Sequence, residues 1–191
     1  MTEVLQASAD EYRSNLAQNL RRRRLKVFLC GASVDRNVRP RKSRRNARLR
    51  HEIMERLEAG NCEVVLGEDK EFYTAARDVL AAEHDIAKQE LALLDHVDLT
   101  VVFPCTAGSF AEVGMFALIV SLAPRLVIVV DDRDDHREGY IAKGPVLMAE
   151  RNRADVAFIP YDRIDDVWDF VCGAVERARI REWQRETASG R

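Results

Sequence analysis

Five short apolar runs divide this chain, and the stretches between them carry apolar residues at helical spacing. That alternation limits the available folds more than any other feature of the sequence. The runs are Lys26–Cys30, Cys62–Leu66, Asp98–Phe103, Arg125–Asp131 and Val156–Ile159. After the first come Leu49, Ile53, Met54 and Leu57, ending at Gly60-Asn61, a pair suited to a helix C-terminus. A long helix is expected from about Thr74 to Leu94, another opening at Ser109, and a short one from Gly144-Pro145 to about Asn152. Ile164, Val167, Trp168, Val171, Val175 and Ala178 form the apolar stripe of the last helix. Parallel neighbours in a sheet need a crossover, usually a helix, so this order predicts an α/β fold. The expected architecture is three-layer and Rossmann-like (flavodoxin-like), with a five-stranded parallel sheet and helices on both faces. A chain of 191 residues supports one well-buried domain. Residues 26–187 are assigned to it, and residues 1–25 are read as a polar, basic leader with a short helix over Ala9–Leu20.

Composition excludes several classes. No apolar run approaches the roughly 20 residues that cross a bilayer, and Met1–Leu20 lacks the apolar core of a signal peptide. Cys30, Cys62, Cys105 and Cys172 are widely spaced with no Cys-x-x-Cys pair, which fits a reducing cytoplasm and no membrane partner. His51, His84, His96 and His136 are scattered, so no metal site and no cofactor are expected. The net charge is only −2, yet Arg21–Arg50 holds thirteen basic residues against one acid, Asp35. Such a stretch carries a positive field that suits a phosphate-bearing ligand, nucleic acid or only solvent. No aromatic residue interrupts residues 36–50, which argues against base stacking there.

Three of the apolar runs end in small or polar residues: Gly31-Ala32-Ser33, Gly67-Glu68-Asp69 and Thr106-Ala107-Gly108-Ser109. Loops at the carboxyl edge of one parallel sheet lie together and build one pocket. There is neither a G-x-G-x-x-G fingerprint nor a G-K-[ST] P-loop. Glu112 follows the third of these turns. Ser109-Phe-Ala-Glu112 fits a capping box, a purely structural role. Read functionally, Glu112 is an acid in the first turn of a helix, ionised by the macrodipole and suited to act as nucleophile or ribose ligand. Gly108 is read as serving a tight turn and Gly114 a close backbone approach. Cys105 has no histidine near it in sequence to activate it.

Lys26–Ser33, Glu90–Val102 with its strand-opening Asp98, and Ala107–Ala117 together resemble the nucleoside 2-deoxyribosyltransferase-like superfamily. The resemblance implies that Glu112 is the nucleophile and that Glu90 stands where the family has an Asp handling the leaving base. It implies that Gly31 and Ser33 line the sugar; Ala32, Thr106, Gly108 and Ser109 join the substrate pocket through the shared carboxyl edge of the sheet. Asp85 is a candidate second acid or a solvated helical residue. The sequence departs from the family in carrying Glu90 for Asp, in lacking an aromatic residue near the first turn, and in placing Pro104-Cys105-Thr106 before the Gly-Ser turn. The implied substrate is a nucleoside, nucleotide or NAD-like molecule, cleaved or transferred at its N-glycosidic bond by a homo-oligomer. Two other readings stand beside it. One is a nucleotide sensor without chemistry; the other is an interaction module whose basic segment 36–50 binds nucleic acid or a protein, as in anti-phage effectors of this superfamily, including those of retrons.

Overall fold

Strand β1 (Leu25–Cys30) sends Leu25, Val27 and Leu29 to one face of the sheet and Phe28 and Cys30 to the other. All five are buried, so both faces must be covered. The structure is a computed structural model that describes residues 20, 22–69, 86–132 and 138–188, with only the backbone at 86, 87 and 89. Strands β2 (Cys62–Leu66), β3 (Leu99–Val102), β4 (Leu126–Val130) and β5 (Asp155–Phe158) complete a five-stranded, all-parallel sheet in the order β2-β1-β3-β4-β5. This is the α/β fold that the alternation predicts, with strand limits within a residue or two of those read from the apolar runs. β4 is buried along its whole length. Each Val or Leu so placed stabilises the fold by about 1.5–3 kcal/mol relative to exposure.

Helices α1 (Arg45–Ala59) and α5 (Ile164–Ala188) cover one face, packing Leu49, Ile53, Met54, Leu57, Val167 and Val171 against Val27, Leu29, Val101 and Val129. Helices α2 (Ile86–Leu94), α3 (Ala107–Phe116) and α4 (Leu147–Arg151) cover the other, bringing Leu93, Leu94, Val113, Phe116 and Ala149 onto Phe28, Val102, Ile128 and Val130. α1 ends as the Gly60-Asn61 pair suggests, with Asn61 in the left-handed conformation at φ 62°. The short helix begins earlier than Gly144-Pro145. Ala142–Val146 form a π turn running into α4, with Pro145 inside it. Proline has no N–H to give, and the wider turn lets Leu147 donate to the Ala142 carbonyl across it.

Asp98 clamps the lower ends of the two central strands. Its carboxylate accepts from the Lys26 N–H at 2.8 Å and its own N–H donates to the Lys26 carbonyl at 2.8 Å. At the opposite edge the chain leaves β1 toward β2 and leaves β3 toward β4, so the sheet order reverses between β1 and β3 and a crevice opens at their carboxyl ends. Most of the leader helix expected over Ala9–Leu20, the first half of the Thr74–Leu94 helix including Asp85, and the centre of the Asp132–Lys143 excursion lie outside the described residues. Among the described residues no helix is long and apolar enough to cross a membrane.

Candidate active site

The wall of the crevice on the β1 side is the turn Gly31-Ala32-Ser33. Gly31 has φ +150°, and a Cβ there would stand 3.3 Å from both the Phe103 Cβ and the Arg50 Cδ. Only glycine lets the turn lie this close to the end of β3. On the other side the chain passes through Pro104 and Cys105 into α3, whose N-cap is Thr106. Thr106 Oγ1 accepts from the Ser109 N–H at 3.1 Å, and Ser109 Oγ accepts from the Thr106 and Cys105 N–H groups, each at 2.9 Å.

This arrangement corrects the expected capping box. The reciprocal pair is Thr106 with Ser109, one turn before Ser109 with Glu112, so Glu112 is not spent on the cap and sits in the second turn of the helix. The macrodipole, strongest within the first turn, therefore has little hold on it. The glycine roles also change. Gly108 lies inside the helix rather than in a turn, and nothing stands within 4 Å of a Cβ built on Gly114. Ser109 is 2% exposed and its hydroxyl, like that of Thr106, holds the start of α3. That fixes the direction in which Glu112 projects.

Glu112 is half-buried, and its Oε2 is shielded from solvent with no hydrogen-bond partner among the described residues. A shielded carboxylate oxygen without a partner is an unmet hydrogen-bonding demand that a proton, a water or a ligand would satisfy. Burial pushes the Glu112 carboxyl above the usual carboxylate range; the Arg50 charge and a hydrogen bond from the Cys30 thiol pull it back, and Glu68 pushes it up again. Glu90 is the second carboxyl. It lies on the inner face of α2, one turn before Leu93 and Leu94, and is 8% exposed. Its Oε1 is 3.9 Å from where a Cβ on Gly67 would stand, so the side chain reaches over the end of β2. Burial, and then the negative charge of Glu112, raise it to about 7. The two environments separate the pair: Glu112 has a cation and a thiol to stabilise its charge, whereas Glu90 has only burial and a neighbouring anion. The charge of Glu112 opposes ionisation of Glu90, which is the carboxyl that keeps its proton to about 7.

Arg50 is the residue that reading the sequence missed. The basic run reads as a single surface, but much of it is paired with acids, and Arg50 is turned inward. Arg50 is 2% exposed and pairs with Glu68; Arg36 binds Asp69 at 2.6 Å and Glu58 at 2.6 Å; Arg45 pairs with Asp131, and Arg39 with Glu52. A signal existed, because Ala47, Arg50, Met54 and Leu57 fall on one face of α1 and an arginine inside an apolar stripe needs a buried partner. Arg41, Lys42 and Arg48 pair with no acid among the described residues, and Arg44 reaches the Ser33 carbonyl at 3.4 Å beside the crevice. Burial pushes the Cys105 thiol up, which disfavours a thiolate. Among the described residues no group of three or more His, Cys, Asp or Glu side chains is placed to hold a metal ion.

The sequence model of the STM3845 retron effector proteins matches residues 46–189, a span that includes Arg50, Glu68, Glu90 and Glu112. A protein of Escherichia coli named "Retron Ec86 putative ribosyltransferase/DNA-binding protein" is 24% identical over 161 residues, covering 82% of this chain and 48% of that protein. The chain thus spans about half the length of the curated relative it matches.

Proposed function

The chain belongs to the STM3845 retron effector protein family, and from that premise we propose that it cleaves or transfers an N-glycosidic bond of a nucleoside, nucleotide or NAD-like substrate through Glu112 and Glu90. The observation that carries this reading is the pair of carboxyl groups at the reversal point of the sheet, Glu112 beside the Arg50 charge and the buried Glu90 keeping its proton to about 7. An N-glycosidic bond needs both. As the C1′–N bond breaks, its electron pair leaves with the base, which departs slowly unless it gains a proton; Glu90 supplies that proton. The sugar carbon becomes electron-poor, and the Glu112 carboxylate bonds to it or stabilises it. Water, or a second base, then attacks the same carbon with Glu90 taking up the proton, and Glu112 is released. This is the chemistry of the nucleoside 2-deoxyribosyltransferase-like superfamily that the sequence resembles. The word ribosyltransferase in the relative's name supports it.

The test is chromatographic release of free base from a panel of nucleosides, nucleotides, NAD and single-stranded DNA, using wild type and Glu112→Ala. Release by the wild type that the variant loses supports the reading. Ligand binding without release by either protein replaces it with a sensor. A second activity is favoured by a separate observation: Arg41, Lys42 and Arg48 carry positive charge without acidic partners among the described residues, and the relative's name includes DNA binding. We read this surface as a phosphate-backbone contact that holds nucleic acid beside the crevice.

A further inference from the structure

Arg50 is built into the site more completely than a surface ion pair would require. Its Nε and Nη2 donate to the Leu29 carbonyl at 3.2 and 2.6 Å, Nη1 donates to the Ala32 carbonyl at 2.9 Å, and Nη2 and Nη1 both donate to the Glu68 carboxylate, the former at 2.8 Å. These five bonds use all five N–H groups of a guanidinium. They join the end of β1, the Gly31–Ser33 turn and the loop after β2. Glu68 extends the tie by accepting from the Val34 N–H at 2.9 Å. Several groups face Glu112: Cys30 from β1, Arg50 from α1, Glu68 from the loop after β2, Glu90 from α2 and Cys105 after β3. Only one of them is a cation.

We propose that Arg50 is a positioning residue of the carboxyl pair, fixing the turn that walls the crevice and placing beside Glu112 a positive charge that Glu68 partly neutralises. The inference rests on the reading of Glu112 as the attacking carboxylate. It assigns to Glu68, which need not touch substrate, control over how readily Glu112 ionises. It also explains the fork. A lysine places its three donors on a single nitrogen and lacks the planar fork whose separate nitrogens reach Leu29, Ala32 and Glu68 at once. A buried charge with its partner removed is strongly destabilising, which makes Glu68, with its side chain 28% exposed, the more informative position to change.

The experiment is carbon-13 NMR titration of the side-chain carboxyl groups in the full chain labelled at glutamate, with the Glu112 signal assigned by its loss in Glu112→Gln. In Glu68→Gln an anion is removed and the Arg50 charge is no longer offset, so the Glu112 midpoint moves down. In Arg50→Met it moves up; in Arg50→Lys it stays nearer the wild type, while kcat/KM for base release falls because the turn has lost its tie. An unchanged or raised Glu112 midpoint in folded Glu68→Gln overturns the proposal, and this decides the matter even if the Arg50 variants fail to fold. The titration needs no substrate. Full base release by Glu112→Ala would end the reading of Glu112 as nucleophile while leaving the NMR result to judge the field of Arg50 and Glu68 by itself.

Discussion

Replacing Glu90 with glutamine tests the physical basis of the site without any knowledge of the substrate. In the folded protein Glu90 holds its proton to about 7, against an ordinary value of 4.5. Below 4.5 the side chain is protonated in both folded and unfolded chains and imposes no penalty. As pH rises past 4.5 the unfolded chain ionises while the folded one does not, so stability is lost through this window and the loss levels off above about 7. Each pH unit between the two values costs about 1.4 kcal/mol, so the whole loss is about 3 kcal/mol, a substantial part of the roughly 5–15 kcal/mol that holds a domain folded. Glutamine keeps the shape and removes the ionisation. The assay is urea unfolding followed by circular dichroism at steps from pH 4.5 to 8, extrapolated to zero denaturant. Glu90→Gln should gain on the wild type steadily across this range, the gap widening by about 3 kcal/mol. A gap that stays constant with pH would refute the claim that Glu90 is buried beside an anion and keeps its proton there.

Four further outcomes are expected. In Glu112→Ala the anion next to Glu90 is gone, so the Glu90 midpoint falls below about 7 in a carboxyl NMR titration; an unchanged midpoint would mean the two groups do not sense each other. Gly31→Ala forces a Cβ to 3.3 Å from Phe103 and Arg50 in a conformation that side chains avoid, lowering stability by about 1–3 kcal/mol in urea unfolding; a neutral effect would deny the close approach. Thr106→Ala removes the α3 cap at a cost of about 1 kcal/mol, measured in the same way. The triple change Arg41→Ser, Lys42→Ser and Arg48→Ser lowers the slope of log affinity against log salt for a DNA oligonucleotide by about 3, and an unchanged slope would remove these residues from the contact.

The parts of the fold that are legible in the sequence are those set by local pattern. The runs that become β1 to β5 are short and apolar because their strands are buried on both faces, and the helical stripes of α1 and α5 match the one cluster they share with the sheet. Glu112 stands out because it follows the turn after β3 and Glu90 only through the family resemblance, and the fold brings the two close enough for the charge of Glu112 to raise Glu90. What the sequence leaves undecided depends on partners distant in the chain. Ser109-x-x-Glu112 and Thr106-x-x-Ser109 are both plausible boxes, and the choice falls to Thr106 because β3 delivers the chain in an extended conformation at that residue. Arg50 is concealed among neighbouring arginines, and its partner Glu68 is eighteen residues away at the end of a different strand. Pro145 reads as a helix start because proline usually opens or breaks one; the π turn that accommodates it depends on how the backbone re-pairs around the missing donor.

The most direct test of the central claim is peptide mapping by mass spectrometry of the enzyme quenched in acid during turnover, on whichever substrate of the panel releases base. Attack by Glu112 on the sugar carbon leaves a mass increase equal to the sugar moiety on the peptide containing Glu112, absent in Glu112→Gln and reduced in Glu90→Gln, where the leaving base receives no proton. A sugar adduct on another residue, or base release undiminished in Glu112→Gln, would contradict it.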